Sequence, residues 1–154
     1  MRATTCMSHP VAPATAGVNP VLVTRRGADW EAQQITSNGG YLLSAPGVAD
    51  VNDTAYAVIG LNAVGGHREA SNAALQHLRQ HLALLRSSDG SGDDPGALAY
   101  FILAGVSAHT DVTHFGGRAP VNNLPARLLR TIRSSGPDAG LVGAADPTYD
   151  GAFR

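Results

Sequence analysis

Apolar and polar positions divide this chain into two kinds of helical segment that alternate. Residues 53–64 are apolar or small almost without a break. That predicts a helix with no strongly polar face, which belongs inside a larger structure. Residues 96–106, from Gly96 through Phe101 to Val106, read the same way. The segments around them are half polar. Residues 27–35 make a short helical pattern stopped by Asn38, Gly39 and Gly40. Residues 68–86 put Leu75, Leu78, Leu82 and Leu85 on one stripe, with Gln76, Arg79, Gln80 and Arg86 mostly off it. Residues 122–133 carry Leu124, Leu128 and Ile132 on one face and Arg127, Arg130 and Arg133 on another.

Each apolar helix opens at a pair of carboxylates, Asp50 with Asp53 and then Asp93 with Asp94. Asp53 is the expected N-cap of the first, with Asp50 just outside it; Asp94 is the expected cap of the second, with Pro95 at its first helical position. Asp53 and Asp94 stand about 40 positions apart, within the range of two-helix repeats. Glycine-containing turns follow the half-polar helices, and residues 41–47 read as a turn. The pattern predicts an all-α chain in two concentric layers, the apolar helices inside and the half-polar ones shielding them. Residues 24–154 would form an α/α repeat of about two and a half helix pairs, an incomplete toroid. Residues 1–23, rich in Pro, Ala and Thr and without period, read as a disordered leader. The chain stops where a third inner helix should begin, so it reads as partial. Its unpartnered apolar helices imply self-association.

Composition narrows the function classes. The formal net charge is −1, and all 11 basic residues are arginine, so no broad positive field points to nucleic acid. Aromatic residues make up 5%, too few for a base-stacking surface. The single cysteine, Cys6, excludes an internal disulfide and a cysteine zinc cluster. No stretch is long and apolar enough to span a membrane. Pro10, Pro13 and Pro20 interrupt the N-terminal apolar run, which makes a poor secretory signal and gives a cytoplasmic location by default.

Trp30, Gln33, Gln34 and Asn38-Gly39-Gly40-Tyr41 resemble the aromatic-Gln-Gly-aromatic repeat of prenyltransferases and squalene or terpene cyclases. Asp50-Val51-Asn52-Asp53-Thr54-Ala55 is similar to the Asp-x-Asp-Asp-Thr-Ala motif of class II terpene cyclases. Gly65-Gly66-His67, Phe115-Gly116-Gly117, Leu124-Pro125-Ala126-Arg127-Leu128 and the stretch Asp146 to Phe153, the last outside the residues the structure describes, look more like non-catalytic, often secreted actinobacterial members of the same superfamily. The resemblance covers roughly residues 26–154 and implies a small hydrophobic or prenyl ligand. In the cyclases it implies that the middle carboxylic acid protonates an alkene. Here that position is Asn52, whose amide has no proton of useful acidity.

Asp50 and Asp53 are therefore the candidate catalytic pair, with capping the favoured alternative. Trp30, Tyr41 and Asp94 are the candidates for lining a ligand mouth, with interlayer packing the favoured alternative for the two aromatics. His77 and His81 have the spacing of two ligands on one helix face but lack a third partner, so no metal site and no cofactor are expected. Arg127, Arg130 and Arg133 read first as a solvated face and second as a phosphate receptor. Two function classes follow. The first is a non-catalytic or fragmentary α/α repeat protein with a binding or scaffold role. The second is a class II cyclase-like enzyme with a degraded acid motif.

Overall fold

Asn19 opens the first helix by accepting the amides of Val21 at 3.0 Å and Leu22 at 3.3 Å, and Pro20 takes the position where no amide partner is needed. The structure, a computed structural model, describes residues 19–87, 92–137 and 139–143. α1 runs Pro20–Ser37 and so starts well before Gly27. Residues 20–23, expected as leader, are helical; the rest of that leader, 1–18, lies outside the described residues. Gly40 ends the helix region at φ +106, donating its amide to the Ile35 carbonyl at 2.8 Å. Glycine is required there twice over. The backbone is left-handed, and a Cβ would sit 2.9 Å from the Ala73 carbonyl oxygen.

The expected turn at 41–47 is instead most of a hairpin. β1 (Leu42–Ala45) pairs antiparallel with β2 (Val48–Asp50) across Pro46-Gly47, in the register Leu42 to Asp50, Leu43 to Ala49 and Ala45 to Val48. Proline fixes the first turn position, and Gly47 at φ +76 supplies the left-handed second one. β2 runs straight into α2 (Val51–Val64). This corrects the expected cap. Asp50, still extended at the end of the strand, is the N-cap, and its Oδ1 accepts from Asn52 and Asp53 at 3.0 and 2.9 Å. Asp53 is inside the first turn, where its charge meets the positive end of the helix.

α3 (Arg68–Gln80) is followed by a 3-10 turn, Leu82–Leu85, so the single long helix expected over 68–86 is broken at His81. The His81 ring donates from Nδ1 to the His77 carbonyl at 2.7 Å. α4 (Pro95–Ser107) begins as expected, with Asp94 Oδ1 accepting from Gly96 at 2.7 Å and Ala97 at 3.1 Å. Two more 3-10 turns, Val112–His114 and Pro120–Asn122, lead to α5, which is only Leu124–Arg130 and much shorter than the 122–133 expected.

α2 packs against α1, α3 and α4, while α1 also meets α3 and α4 meets α5. The core lies where these contacts converge, on fully buried Ile35, Val58, Leu61, Leu78, Leu98 and Phe101. Asn62 on α2 threads a polar link through it, accepting from Ser71 of α3 at 3.0 Å and donating to Ser107 of α4 at 3.3 Å. Phe115 is drawn in against Phe101, ring centres 6.0 Å apart, with the Arg79 guanidinium 5.7 Å from its own centre. Gly105 makes room for it, since a Cβ there would lie 2.6 Å from Val112 and 3.1 Å from Phe115.

The described residues are thus predominantly helical, with one two-stranded hairpin added to the expected helices. The apolar helices are not covered on every side: Tyr56 on α2 and Leu103 and Val106 on α4 are each half exposed or more. Among the described residues no helix is long and apolar enough to cross a membrane.

Candidate functional site

The last turns of α1 present Trp30, Gln34 and Asn38 at four-residue intervals, which places them on one face, with Glu31 beside Trp30. The hairpin turns Leu42 and Leu43 toward that face, and the first turns of α2 bring Asp53 and Tyr56, three positions apart. Together these side chains line an open cleft of about 420 Å³. Thr54 ties the hairpin wall to the α2 wall. Fully buried, its hydroxyl donates to the Asp50 carbonyl and accepts the Leu42 amide at 3.0 Å, so the start of α2 is bonded to the start of β1. The Glu31 carboxylate reaches over α2 to within 3.7 Å of where a Cβ on Gly60 would sit, an ordinary contact distance.

The cleft combines exposed aromatic surface with unpaired negative charge. Trp30 is 59% and Tyr56 50% exposed, large values for side chains of their size in a folded domain. Neither Glu31 nor Asp53 forms an ion pair with another described residue, and the lining contains no arginine. Tyr56 lies against Tyr100 at 4.6 Å between ring centres. Its phenol is held above the ordinary value, first by hydrogen bonding with Tyr100, then by desolvation and by the charges of Tyr100 and Asp53. Tyr56 therefore stays a neutral ring beside a carboxylate.

Of the five candidate catalytic and ligand-lining residues, the cleft gathers Trp30 and Asp53 and leaves Asp50, Tyr41 and Asp94 elsewhere; Gln34 and Asn38 of the repeat-like motif also line it. Asp50 is occupied in capping α2. Asn52 is exposed on the first turn and holds no acid position within the cleft lining. Tyr41 is half-buried with its ring 4.6 Å from that of His77, and Asp94 caps α4. Trp30, read as packing between layers, is instead open to solvent. Glu31 and Tyr56 were not singled out. The four-residue interval from Trp30 through Gln34 to Asn38 was the one legible sign of a shared face.

The histidine clusters are structural. His77 and His81 stack at 4.0 Å, and burial followed by the charge of His81 pushes the His77 imidazole below its ordinary value. Among the described residues no group of three or more His, Cys, Asp or Glu side chains is placed to hold a metal ion. Asp111 and Thr113 meet His114 through the same Nδ1, at 2.8 and 3.0 Å, which closes a surface turn and leaves no relay from base to nucleophile. The Thr113 hydroxyl, then His114 and the Thr113 amide, pull the Asp111 carboxyl down to about 2. The basic face expected on the last helix is also corrected. Arg127 points inward at 5% exposure, its Nε and Nη2 donating to the two Asp93 oxygens at 2.9 and 2.7 Å. The chain matches no protein-family model, no curated protein and no solved structure.

Proposed function

We propose that this chain is a non-catalytic binding module of the α/α repeat kind, similar in build to the prenyltransferase and squalene-cyclase repeats, and that its ligand site is the α1–hairpin–α2 cleft. The ligand is a small molecule with an apolar body and a cationic centre. One observation carries this reading: two exposed aromatic rings, Trp30 and Tyr56, and two carboxylates without an ion pair to any described residue, Glu31 and Asp53, border the same cleft. Aromatic faces and fixed negative charge both attract an alkylated ammonium group. A prenyl diphosphate, by contrast, would set its anionic end against two carboxylates with no arginine in the lining to offset them. The acid role lacks a holder for the same geometric reasons, since Asp50 caps the helix and position 52 is an amide. The exposed Leu103 and Val106 of α4 support self-association as a further part of the reading; light scattering should then show a discrete oligomer.

Trp30 is the sole tryptophan, so its fluorescence reports on the cleft directly. Titration with hexyltrimethylammonium at constant ionic strength should give a saturable change, weakened at least about fivefold in Glu31→Gln/Asp53→Asn. Geranylgeranyl diphosphate should be neither bound in the cleft nor converted. Cyclised product formed by the wild-type chain would overturn the non-catalytic reading, and an unsaturable ammonium titration would overturn the ligand class.

A further inference from the structure

Beside the start of α4, away from the residues that line the cleft, the charges are reversed. Leu82, Arg86, Asp93, Asn122, Arg127 and Arg130 line a depression of about 300 Å³ between the Leu82–Leu85 turn and α5. Three arginines and one aspartate leave the described lining with two uncompensated positive charges, on a chain whose formal net charge is −1. The arrangement is built from the backbone up. Arg86 and Asp93 face each other in an antiparallel bridge, secured by the Asp94 amide to the Leu85 carbonyl at 2.8 Å and the Ser87 amide to the Gly92 carbonyl at 2.9 Å. Arg127 then takes both Asp93 oxygens, and its Nη1 reaches the Val121 carbonyl at 3.4 Å. Arg130 lies one turn further along α5, on the side of Arg127.

The ion pair fixes one guanidinium as a rigid floor and consumes the only carboxylate among the described lining residues. Arg86 and Arg130, both exposed, make no hydrogen bond or ion pair with another described residue. Both also act on Asp93: after the hydrogen bonds from Arg127, their charges help hold its carboxyl below the usual range, so both lie within electrostatic reach of it. Collecting like charges around a concavity is unfavourable unless a counter-charge occupies it.

We propose that this depression is an anion site for a phosphate group, either inorganic phosphate or the head of a phosphate monoester, gripped by Arg86 and Arg130 above the Arg127–Asp93 pair. Guanidinium forks match phosphate oxygens two at a time, and a phosphate near neutral pH carries enough charge to offset both arginines. The site is independent of the α1–hairpin–α2 cleft and of the ligand assigned to it.

The test is calorimetry on the full chain with two probes, inorganic phosphate and phenyl phosphate, each against chloride at equal ionic strength. Saturable binding of one phosphate per chain is expected, falling about tenfold for each of Arg86→Gln and Arg130→Gln. Tighter phenyl phosphate identifies a monoester ligand, and equal affinities identify the free anion. Arg25→Gln on α1 should leave binding unchanged, and Glu31→Gln/Asp53→Asn should too, which separates this site from the cleft. Both arginines are exposed, so the variants should melt as wild type does. No saturable binding beyond chloride would overturn the proposal. So would binding that survives both arginine variants, or that falls equally in Arg25→Gln.

Discussion

The two apolar helices begin with the same device and end in opposite chemistry. At each start one aspartate of a pair caps the helix: Asp50 holds the amides of Asn52 and Asp53, and Asp94 holds those of Gly96 and Ala97. The other aspartate is left over. At α4 the spare residue, Asp93, is claimed by buried Arg127 in a two-bonded pair. At α2 the spare residue, Asp53, pairs with no arginine among the described residues and opens onto the cleft that Trp30 and Tyr56 also line. A second carboxylate near a helix start is thus structural or available according to what a distant segment brings to it. Residues 93 and 127 come together only because α5 packs on α4.

This contrast can be broken most forcefully at α4. Arg127→Ala leaves Asp93 without its partner inside the fold and should cost about 3 kcal/mol in denaturant unfolding. The pH dependence follows from the same pair. Arg127 hydrogen bonds keep the Asp93 carboxyl below its unfolded value, so the stability it contributes is complete above about pH 4 and is lost as pH falls through the folded value. That acid limb should flatten in Arg127→Ala, as read from unfolding midpoints between pH 5 and pH 2. Unfolding that is equally acid-sensitive in the variant would place the effect elsewhere.

At α2 the corresponding weak point is the hydroxyl that ties the hairpin to the helix. Thr54→Val leaves the Leu42 amide without its acceptor and should cost about 1–2 kcal/mol. Hydrogen exchange should then accelerate at Leu42 and in the hairpin, while α4 amides stay protected. The caps should behave alike: Asp50→Ala and Asp94→Ala should each cost about 1 kcal/mol, and clearly unequal losses would deny that they share a role. The smallest effect is expected at the free residue. Asp53→Asn should change stability by no more than about 0.5 kcal/mol, because no partner is orphaned.

How far these differences were legible in the sequence depends on the range of the forces involved. The apolar runs, the Asp94-Pro95 start and the Gly39-Gly40 stop are local signals, and the helices stand where they pointed. The hairpin was hidden because β1 and β2 are too short to display an alternation, although Pro46-Gly47 already marked the turn between them. The displacement of the cap from Asp53 to Asp50 follows from that hidden strand, which carries the extended backbone up to Asp50. His81 breaks α3 without a glycine or proline to announce it. Helical spacing set Arg127 on a polar face with Arg130 and Arg133, yet a carboxylate far away in sequence draws it inward. The candidate site was half visible for the same reason: one helix face can be counted from Trp30, Gln34 and Asn38, but its apposition to Asp53 and Tyr56 is a tertiary fact.

The measurement that tests the central claim most directly is carboxyl ¹³C NMR of the folded chain during titration with hexyltrimethylammonium. The account predicts saturable shifts at Glu31 and Asp53, with Asp50, Asp93 and Asp94 unmoved. Shifts spread equally over all five carboxyls, or absent from Asp53, would contradict it.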